Sequence, residues 1–277
     1  MRVNINKIRE MKQKGEKITM LTAYDYVTAK LVDEAGIPLI LVGDSLGMVV
    51  LGYGSTIPVT MEEMLHHTKA VVRGTSKAMI IGDMPFMTYH ISTEQALQNA
   101  ARFIQEAGTQ AVKLEGGVTV ADKVKRIVEC GIPVMGHIGL TPQSINQIGG
   151  HKIQGKTPEV AAKMLDDARA LEQAGAFAVV LETVPTALAT LITEKIIIPT
   201  IGIGAGNGCD GQVQITNDIL GSHTGYVPKH AKQYTKLTDI MSNAISQYHE
   251  EVMTGKFPTD ENSFPMDESV LAALKDK

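Results

Sequence analysis

The feature that most constrains the fold is a regular alternation of short apolar runs with longer segments of helical periodicity. Eight runs rich in β-branched residues recur along the 277 residues. This alternation is typical of parallel strands joined by crossover helices. The predicted strands span residues 18–23, 39–43, 79–82, 111–114, 134–138, 177–181, 199–203 and 212–215.

The predicted strands are apolar along almost their whole length, as in LILV and FAVVL. Strands covered on both faces need this composition, whereas a sheet with one wet face would alternate. Eight such units predict a closed (β/α)8 barrel, an α/β fold, although a doubly wound open sheet would show the same periodicity. We expect one domain over residues 1–277, with an irregular tail from about residue 254 that contains Pro258 and Pro265.

One segment between the strands has a clear helix start. In the segment 92–106, Ser92 is followed three residues later by Gln95. This spacing predicts a capping box at the beginning of a helix.

Composition narrows the classes of partner. The net charge is −4 and the basic residues are scattered, so neither a nucleic acid nor an anionic membrane is expected to bind. The two cysteines, Cys130 and Cys209, have no CxxC or Cys/His spacing, which indicates a reducing compartment. Residues 1–15 have no apolar core, and no run approaches the roughly 18 apolar residues of a membrane helix. A cytoplasmic protein is expected.

Polar residues cluster where the predicted strands end. Barrel enzymes assemble their active sites there, from the loops that follow the strands. Taken singly, an Asp, Glu or Ser after a strand can instead cap the next helix. The residues are Asp44 and Ser45 after the second strand, Asp83 after the third, Lys113 and Glu115 on the fourth, His137 on the fifth and Glu182 after the sixth.

Four carboxylates in one barrel mouth would repel one another unless a cation or a shared proton relieved them. A hard divalent cation is the simplest remedy. Because the available ligands are oxygens, with at most one histidine nearby, Mg²⁺ is favoured over zinc or copper.

Lys113 and Glu115 lie two residues apart on one strand, so their side chains share a face at the barrel interior or mouth. Lys113 either pairs with one of the acids to balance charge or holds a substrate carboxylate. His137 is equally consistent with a supporting residue behind the site and with a catalytic group.

A glycine-rich stretch, GIGAGNG at residues 202–208, follows the seventh strand. Bare backbone N–H groups could bind a phosphate there. The stretch lacks the lysine of a P-loop, and glycines near the end of a barrel also serve tight packing. Both interpretations stay open on sequence alone.

Several motifs, in order along nearly the whole chain, resemble those of the ketopantoate hydroxymethyltransferase family. This family has a (β/α)8 barrel and is related to the phosphoenolpyruvate mutase and isocitrate lyase superfamily. The motifs are TAYDY (22–26), VGDSLGMV (42–49), STIPVT (55–60), HHT (66–68), IGDMPF (81–86), KLEGG (113–117), GHIGLTPQ (136–143), QGK (154–156), LE (181–182) and GIGAG (202–206).

The resemblance implies a reaction of pantothenate biosynthesis. A one-carbon unit passes from 5,10-methylenetetrahydrofolate to 3-methyl-2-oxobutanoate through an enolate stabilised by Mg²⁺, giving ketopantoate. By the same resemblance, Asp44, Asp83 and Glu115 match the magnesium site, and Glu182 matches the proton acceptor. Ser45 and Lys113, together with Asp44 and Asp83, match the contacts to the 2-oxo acid. The family also implies a homo-oligomer, typically a decamer.

Two other functions are compatible with a barrel of this kind. A superfamily relative could cleave or rearrange a carbon bond in a 2-oxo or hydroxy acid, but such lyases generally use a KKCGH-like loop, and none is present. A catalytically silent barrel could bind a chelated keto acid as a sensor. Glu182 argues against the sensor, because binding alone needs no base.

Overall fold

A computed structural model describes residues 2–223 and 225–275, and its eight strands form a closed, all-parallel barrel in sequence order. The predicted (β/α)8 fold is therefore confirmed, and the open sheet is excluded. The strands are β1 (Ile18–Thr22), β2 (Leu39–Val42), β3 (Met79–Asp83), β4 (Ala111–Glu115), β5 (Val134–Gly139), β6 (Ala178–Glu182), β7 (Thr200–Ile203) and β8 (Gly211–Gln214).

Helices surround the barrel and close one of its ends. They are α1 (Ile5–Lys14), α2 (Tyr26–Glu34), α3 (Leu46–Val49), α4 (Met61–Gly74), α5 (Thr93–Arg102), α6 (Ala121–Glu129), α7 (Ile145–Ile148), α8 (Pro158–Gln173), α9 (Thr186–Lys195), α10 (Thr216–Leu220), α11 (Leu237–Met253) and α12 (Glu268–Lys275).

Alternate residues of each strand enter two separate apolar cores. Residues such as Met79, Ile81 and Met135 fill the barrel interior. Their neighbours, such as Ile80 and Leu114, pack between the strands and the outer helices. Both faces are therefore buried along β2 to β7, which explains their apolar runs, whereas Thr19 of β1 and Gln212 of β8 are exposed.

Helix α1 covers the end of the barrel opposite the strand carboxyl ends. Its Ile8 is fully buried with residues of the barrel interior. Lys12 Nζ donates to the carbonyl oxygens of Thr193, Ile196 and Ile198 at 3.2, 3.0 and 2.9 Å. These bonds satisfy carbonyl groups at and beyond the end of α9 and leave only the other end of the barrel open.

The predicted helix at 92–106 forms, but its start differs from the prediction. Ser92 Oγ accepts the Gln95 N–H at 3.1 Å, as expected of an N-cap. The Gln95 side chain binds the N–H of Ile91 and the carbonyl of Met87 instead of returning to Ser92. The prediction of a reciprocal capping box is therefore wrong, because backbone groups of the preceding loop bind the Gln95 side chain.

The last third of the chain departs most from a regular barrel. No helix separates β7 from β8 in the described residues. Helix α11 has 17 residues, none of them buried. Helix α12 is an element that the sequence analysis did not predict within the irregular tail. None of the helices formed by the described residues is both long enough and apolar enough to span a membrane.

A buried carboxylate joins α2 to the start of β3. Asp33 is 4% exposed, and its two oxygens accept the backbone N–H groups of Ser76, Lys77 and Ala78 at 2.9, 3.0 and 2.6 Å. Burial opposes the charge, but these backbone donors outweigh it and hold the pKa of Asp33 below its ordinary value. The carboxylate is thus more stable in the folded chain than in the unfolded one.

We expect Asp33→Asn to lower the free energy of unfolding at pH 7 by about 1–3 kcal/mol, because the backbone donors lose a charged acceptor. Since the folded pKa lies below the unfolded one, this stabilisation is complete above the unfolded pKa of about 4 and disappears as pH falls through the folded pKa. Denaturant unfolding at pH 7 and near pH 3 measures the loss of stability and its dependence on pH. Asp166→Asn, at an exposed carboxylate on α8, is the control. If Asp33→Asn lowered the free energy of unfolding equally at both pH values, the prediction would be contradicted.

Candidate active site

The two-residue period of the strands brings the predicted site residues together at the open end of the barrel. The inward-facing positions of β3 to β6 continue, above the residues that fill the barrel interior, with Asp83, Lys113, Glu115, His137 and Glu182. Asp44 and Ser45 lie in the turn after β2, where the backbone N–H of Asp44 donates to Asp83 Oδ2 at 3.2 Å. All seven predicted residues thus belong to one end of the barrel.

Lys113 and His137 connect the acids. Lys113 Nζ lies 2.7 Å from Asp83 Oδ1 and 3.3 Å from His137 Nδ1. The same Nδ1 is 3.3 Å from Glu115 Oε1, and His137 Nε2 is 3.2 Å from Glu182 Oε2. The His137–Glu182 approach is not aligned as a hydrogen bond, so Nε2 lacks an aligned partner among the described residues. His137 therefore stands between two carboxylates.

The buried acids have shifted pKa values. Burial and the charges of Asp83 and Glu115 raise the pKa of Asp44 well above its ordinary value. Burial also raises the pKa of Asp83, although Lys113 opposes the rise. Burial acts in the same direction on Glu115, but the positive charges of His137 and Lys113 outweigh it and lower the pKa. The four acids formally outnumber the two basic groups, and the raised pKa of Asp44 reflects its burial together with this excess of negative charge.

The two basic groups are held in their charged forms. Burial lowers the pKa of Lys113, but the charges of Asp83, Glu115 and Asp44 outweigh it and raise the value above normal. Burial and Lys113 likewise lower the pKa of His137, yet contacts with Glu115 and Glu182 raise it to about 9.

Ser45 is oriented by a residue of the loop between β1 and α2. Its Oγ lies 2.8 Å from the hydroxyl of the buried Tyr24, and the Tyr24 carbonyl is 2.6 Å from His67 Nδ1. The Ser45 side chain does not cap α3. Its hydroxyl is therefore fixed at the mouth by a side chain rather than by a helix terminus.

Backbone contacts fix Glu182 at the end of β6. Its carbonyl accepts the Leu140 N–H at 2.8 Å. A Cβ at Gly139, where φ is +97°, would lie 2.3 Å from the Glu182 carbonyl oxygen, so only glycine permits this approach. The next residue, Thr183, has φ +53°, a conformation that costs free energy for a β-branched side chain. Local strain at Thr183 thus accompanies the position of Glu182.

The alternative role of the four acids as helix caps is excluded by their contacts. Ser92 caps α5, and the first residues of α3, α6 and α9 have no side-chain cap from these acids. The carboxylates of Asp44, Asp83 and Glu115 bind groups from other strands or loops instead.

The sequence analysis missed two buried polar residues in the site. Gln143 and Tyr89 are 3% and 0% exposed, and Tyr89 Oη donates to Gln143 Oε1 at 2.6 Å. Both occur in loops after strands, and nothing in their local sequence marks them as buried. Gln143 lies within the GHIGLTPQ motif, which was the available signal, although no role was assigned to it.

The glycine-rich stretch after β7 serves packing rather than phosphate binding. A Cβ at Gly206 would lie 2.4 Å from Thr186 Oγ1, and one at Gly208 would lie 1.9 Å from Thr190 Oγ1. These glycines let the loop contact α9 closely. The next described element is β8, so this loop does not lead into a helix N-terminus of the kind that binds phosphate.

The donor chemistry of the mouth fits a magnesium ion shared with substrate. In residues 2–223 and 225–275, no three His, Cys, Asp or Glu side chains form a ready metal-binding group. Mg²⁺, however, usually takes one or two carboxylates and completes its shell with water and substrate oxygens. Asp44 supplies such an oxygen, because only its Oδ2 accepts a hydrogen bond from the described residues. The incompletely balanced negative charge points the same way.

The fold and this group of acids and bases define an enzyme with a (β/α)8 barrel. A sequence model described as ketopantoate hydroxymethyltransferase matches residues 2–260. The chain therefore belongs to the ketopantoate hydroxymethyltransferase family.

Curated relatives agree over nearly the whole chain. A 3-methyl-2-oxobutanoate hydroxymethyltransferase of Dehalococcoides mccartyi is 67% identical and covers 99% of this chain and 98% of its own. A protein of the same name from Chloroflexus aurantiacus is 59% identical, with 99% and 96% covered. This chain is thus a hydroxymethyltransferase of that family.

Solved structures share the barrel fold at low sequence identity. Phosphonopyruvate hydrolase in complex with oxalate and Mg²⁺ superposes with a TM-score of 0.59 at 13% identity, with 100% of this chain and 96% of its own covered. A 2,3-dimethylmalate lyase of the PEP mutase/isocitrate lyase superfamily gives 0.58 at 14% identity, with 100% of both chains covered. These likenesses show a shared fold.

Proposed function

We propose that this enzyme transfers a hydroxymethyl group from 5,10-methylenetetrahydrofolate to 3-methyl-2-oxobutanoate, forming ketopantoate for pantothenate biosynthesis. The names of its relatives support the keto acid as acceptor. The chemistry requires removal of the C3 proton of the keto acid and stabilisation of the resulting negative charge.

The observation that carries the proposal is the unequal exposure of the acids. The side chain of Glu182 is 17% exposed, whereas those of Asp83 and Glu115 are only 2% and 4% exposed. Glu182 is therefore an acid that a substrate carbon entering the mouth can reach. Asp83 and Glu115, which are more deeply buried, are suited to binding a cation.

Asp44, Asp83 and Glu115 would hold Mg²⁺. When bound, the ion would supply a positive charge that stabilises negative charge developing on the keto oxygen. A phosphonopyruvate hydrolase with this fold is described in complex with oxalate and Mg²⁺, which agrees with such a site without assigning its residues here.

Lys113 and Ser45 would bind the substrate carboxylate. An ammonium group has three N–H donors, and Lys113 Nζ pairs with Asp83 Oδ1 at 2.7 Å. The charged His137 cannot accept a hydrogen bond from it, so donors are left for a substrate oxygen. Ser45, held by Tyr24, can donate a second hydrogen bond.

Glu182 would accept the C3 proton. The backbone contacts at Gly139 and Leu140 fix its position relative to a substrate bound by Lys113. His137 lies 3.2 Å from Glu182 and 3.3 Å from Glu115, and would orient both carboxylates. The carbon from which the proton was removed would then form a C–C bond to the one-carbon unit of the folate. The two C–N bonds that hold this unit would break, water would supply the hydroxyl oxygen of ketopantoate, and the protons would pass to the folate nitrogens as tetrahydrofolate leaves.

One assay tests the proposed function. The enzyme is incubated with Mg²⁺, 3-methyl-2-oxobutanoate and 5,10-methylenetetrahydrofolate, and ketopantoate is measured by mass spectrometry. We expect product only when both substrates are present. Consumption of the keto acid without folate would favour a lyase-type reaction, and binding without turnover would favour a sensor; either result would overturn the proposal.

We expect Lys113→Ala to raise the KM for keto acid by about 10- to 100-fold, the effect of losing a charged hydrogen bond, while the folate KM changes much less. Steady-state kinetics with each substrate varied in turn measures the difference. Lys195→Ala, at an exposed lysine of α9, is the control. An effect confined to the folate KM would place Lys113 at the folate instead.

We also propose that the enzyme is a homo-oligomer that buries α11. Met241, Ile245, Tyr248 and Val252 form a stripe on this helix at helical spacing, and each is 44–65% exposed. A contiguous apolar surface of this kind marks a protein interface.

We expect Ile245→Asp to give smaller particles in sedimentation velocity than the wild type. Asn243→Asp, on another face of α11, should leave the particle size unchanged; no difference between the variants would contradict the proposal.

A further inference from the structure

Gln143 is buried at the mouth with both ends of its amide engaged. Its Nε2 donates to Asp44 Oδ2 at 2.9 Å and to the carbonyl of Met84 at 3.0 Å. Its Oε1 accepts the hydroxyl of Tyr89 at 2.6 Å. The short turn Pro142–Ser144 after β5 holds the residue in place.

The neighbours of Gln143 permit one orientation of the amide. The Met84 carbonyl and the Asp44 carboxylate can accept hydrogen bonds but cannot donate them. Tyr89 Oη accepts the Glu115 backbone N–H at 3.1 Å, so its own proton is directed to Gln143. A flipped amide would place Oε1 against two acceptors, which is unfavourable. Gln143 therefore always donates to Asp44.

Gln143 also contacts a second acid. Its backbone N–H donates to Glu115 Oε2 at 3.1 Å. Asp44 follows β2 and Glu115 ends β4, so one residue after β5 binds carboxylates from two other strands. Each of these bonds occupies one oxygen of its carboxylate, and Asp44 Oδ1 is left for another ligand.

We infer that Gln143 is a positioning residue that holds Asp44 and Glu115 in the arrangement that binds a divalent cation, and that Tyr89 fixes the orientation of its amide. This inference rests on the magnesium site of the proposed function. Gln143 acts through the carboxylates and does not itself contact the ion. Losing such a supporting partner typically weakens metal affinity by about 10- to 100-fold.

Calorimetric titration with Mg²⁺ alone tests the inference without any turnover. Gln143→Met keeps the length of the side chain and removes its donors and acceptor. We expect its Kd for Mg²⁺ to rise by about 10- to 100-fold, with catalysis recovering toward the wild-type kcat at saturating Mg²⁺. Gln98→Met, at an exposed position of α5, is the matched control.

Two further variants separate positioning from a structural role. Tyr89→Phe removes the hydroxyl that orients the amide and that also accepts the Glu115 N–H. We expect a smaller rise in Kd, about 2- to 10-fold, as for a neutral hydrogen bond. In an Asp44→Asn background, Gln143→Met should cause less additional loss of Mg²⁺ affinity than it does alone, because contacting residues are coupled. A merely structural glutamine would lower stability without changing the Kd.

The outcomes also distinguish this inference from the proposed function. Wild-type Mg²⁺ affinity in folded Gln143→Met and Tyr89→Phe would overturn the role of Gln143 while leaving the transferase reaction in place. If Gln143→Met does not fold, Tyr89→Phe alone decides. Weakened Mg²⁺ binding in an enzyme that forms no ketopantoate would support Gln143 and refute the function. A wild-type enzyme that binds no Mg²⁺ would overturn both.

Discussion

Glu182→Gln is expected to reduce exchange of the C3 proton of 3-methyl-2-oxobutanoate by about 10²- to 10⁴-fold, the usual cost of losing a general base, while Mg²⁺ and keto-acid binding persist. Glutamine preserves the size of the side chain but lacks its basicity. The contacts that place residue 182 involve its backbone, so they survive the substitution. Only the proton transfer should therefore suffer.

Proton NMR in D₂O follows this exchange directly, with Mg²⁺ and enzyme present and with or without folate. Glu194→Gln makes the same change at an exposed position of α9 and should exchange like the wild type. Exchange at the wild-type rate in Glu182→Gln would eliminate this residue as the base. His137, whose Nε2 lies 3.2 Å from the Glu182 carboxylate, would then be the next candidate.

Asp83→Asn should weaken Mg²⁺ binding by roughly 100-fold or more, beyond the 10- to 100-fold typical of losing a supporting partner, because a charged ligand is removed. Its carboxylate also pairs with Lys113 and accepts the Asp44 N–H. Asparagine retains an acceptor, so the barrel should still fold.

Calorimetric titration of Mg²⁺ into Asp83→Asn measures this loss, and circular dichroism verifies the fold. The control is Asp166→Asn, which removes one negative charge far from the mouth on α8. Unchanged Mg²⁺ affinity in a folded Asp83→Asn variant would remove Asp83 from the metal site.

The barrel could be predicted from sequence because most strands, β2 to β7, are buried on both faces and are therefore apolar along most of their length. The same regularity predicted that Lys113 and Glu115 share a face, and they do so at the open end. Residues at strand ends are accessible to this reasoning, since strand periodicity alone fixes the direction of the side chain.

Other parts of the site depend on contacts that no local pattern encodes. Gln143 binds Asp44 and Tyr89 across 99 and 54 positions of the chain. The capping box at Ser92 was wrong for the same reason, because a nearby loop supplies partners for Gln95. Such hydrogen bonds are set by tertiary packing, so sequence periodicity does not predict them.

The close approach at Gly139 has a consequence for interpreting mutational tolerance. Any side chain there would collide with the carbonyl oxygen of Glu182 and displace the residue proposed as the base. In a saturation-mutagenesis map scored by growth without pantothenate, position 139 would therefore reject substitutions as strictly as a residue that touches substrate. Engineering that reshapes the mouth should keep this glycine and vary residues on other strands.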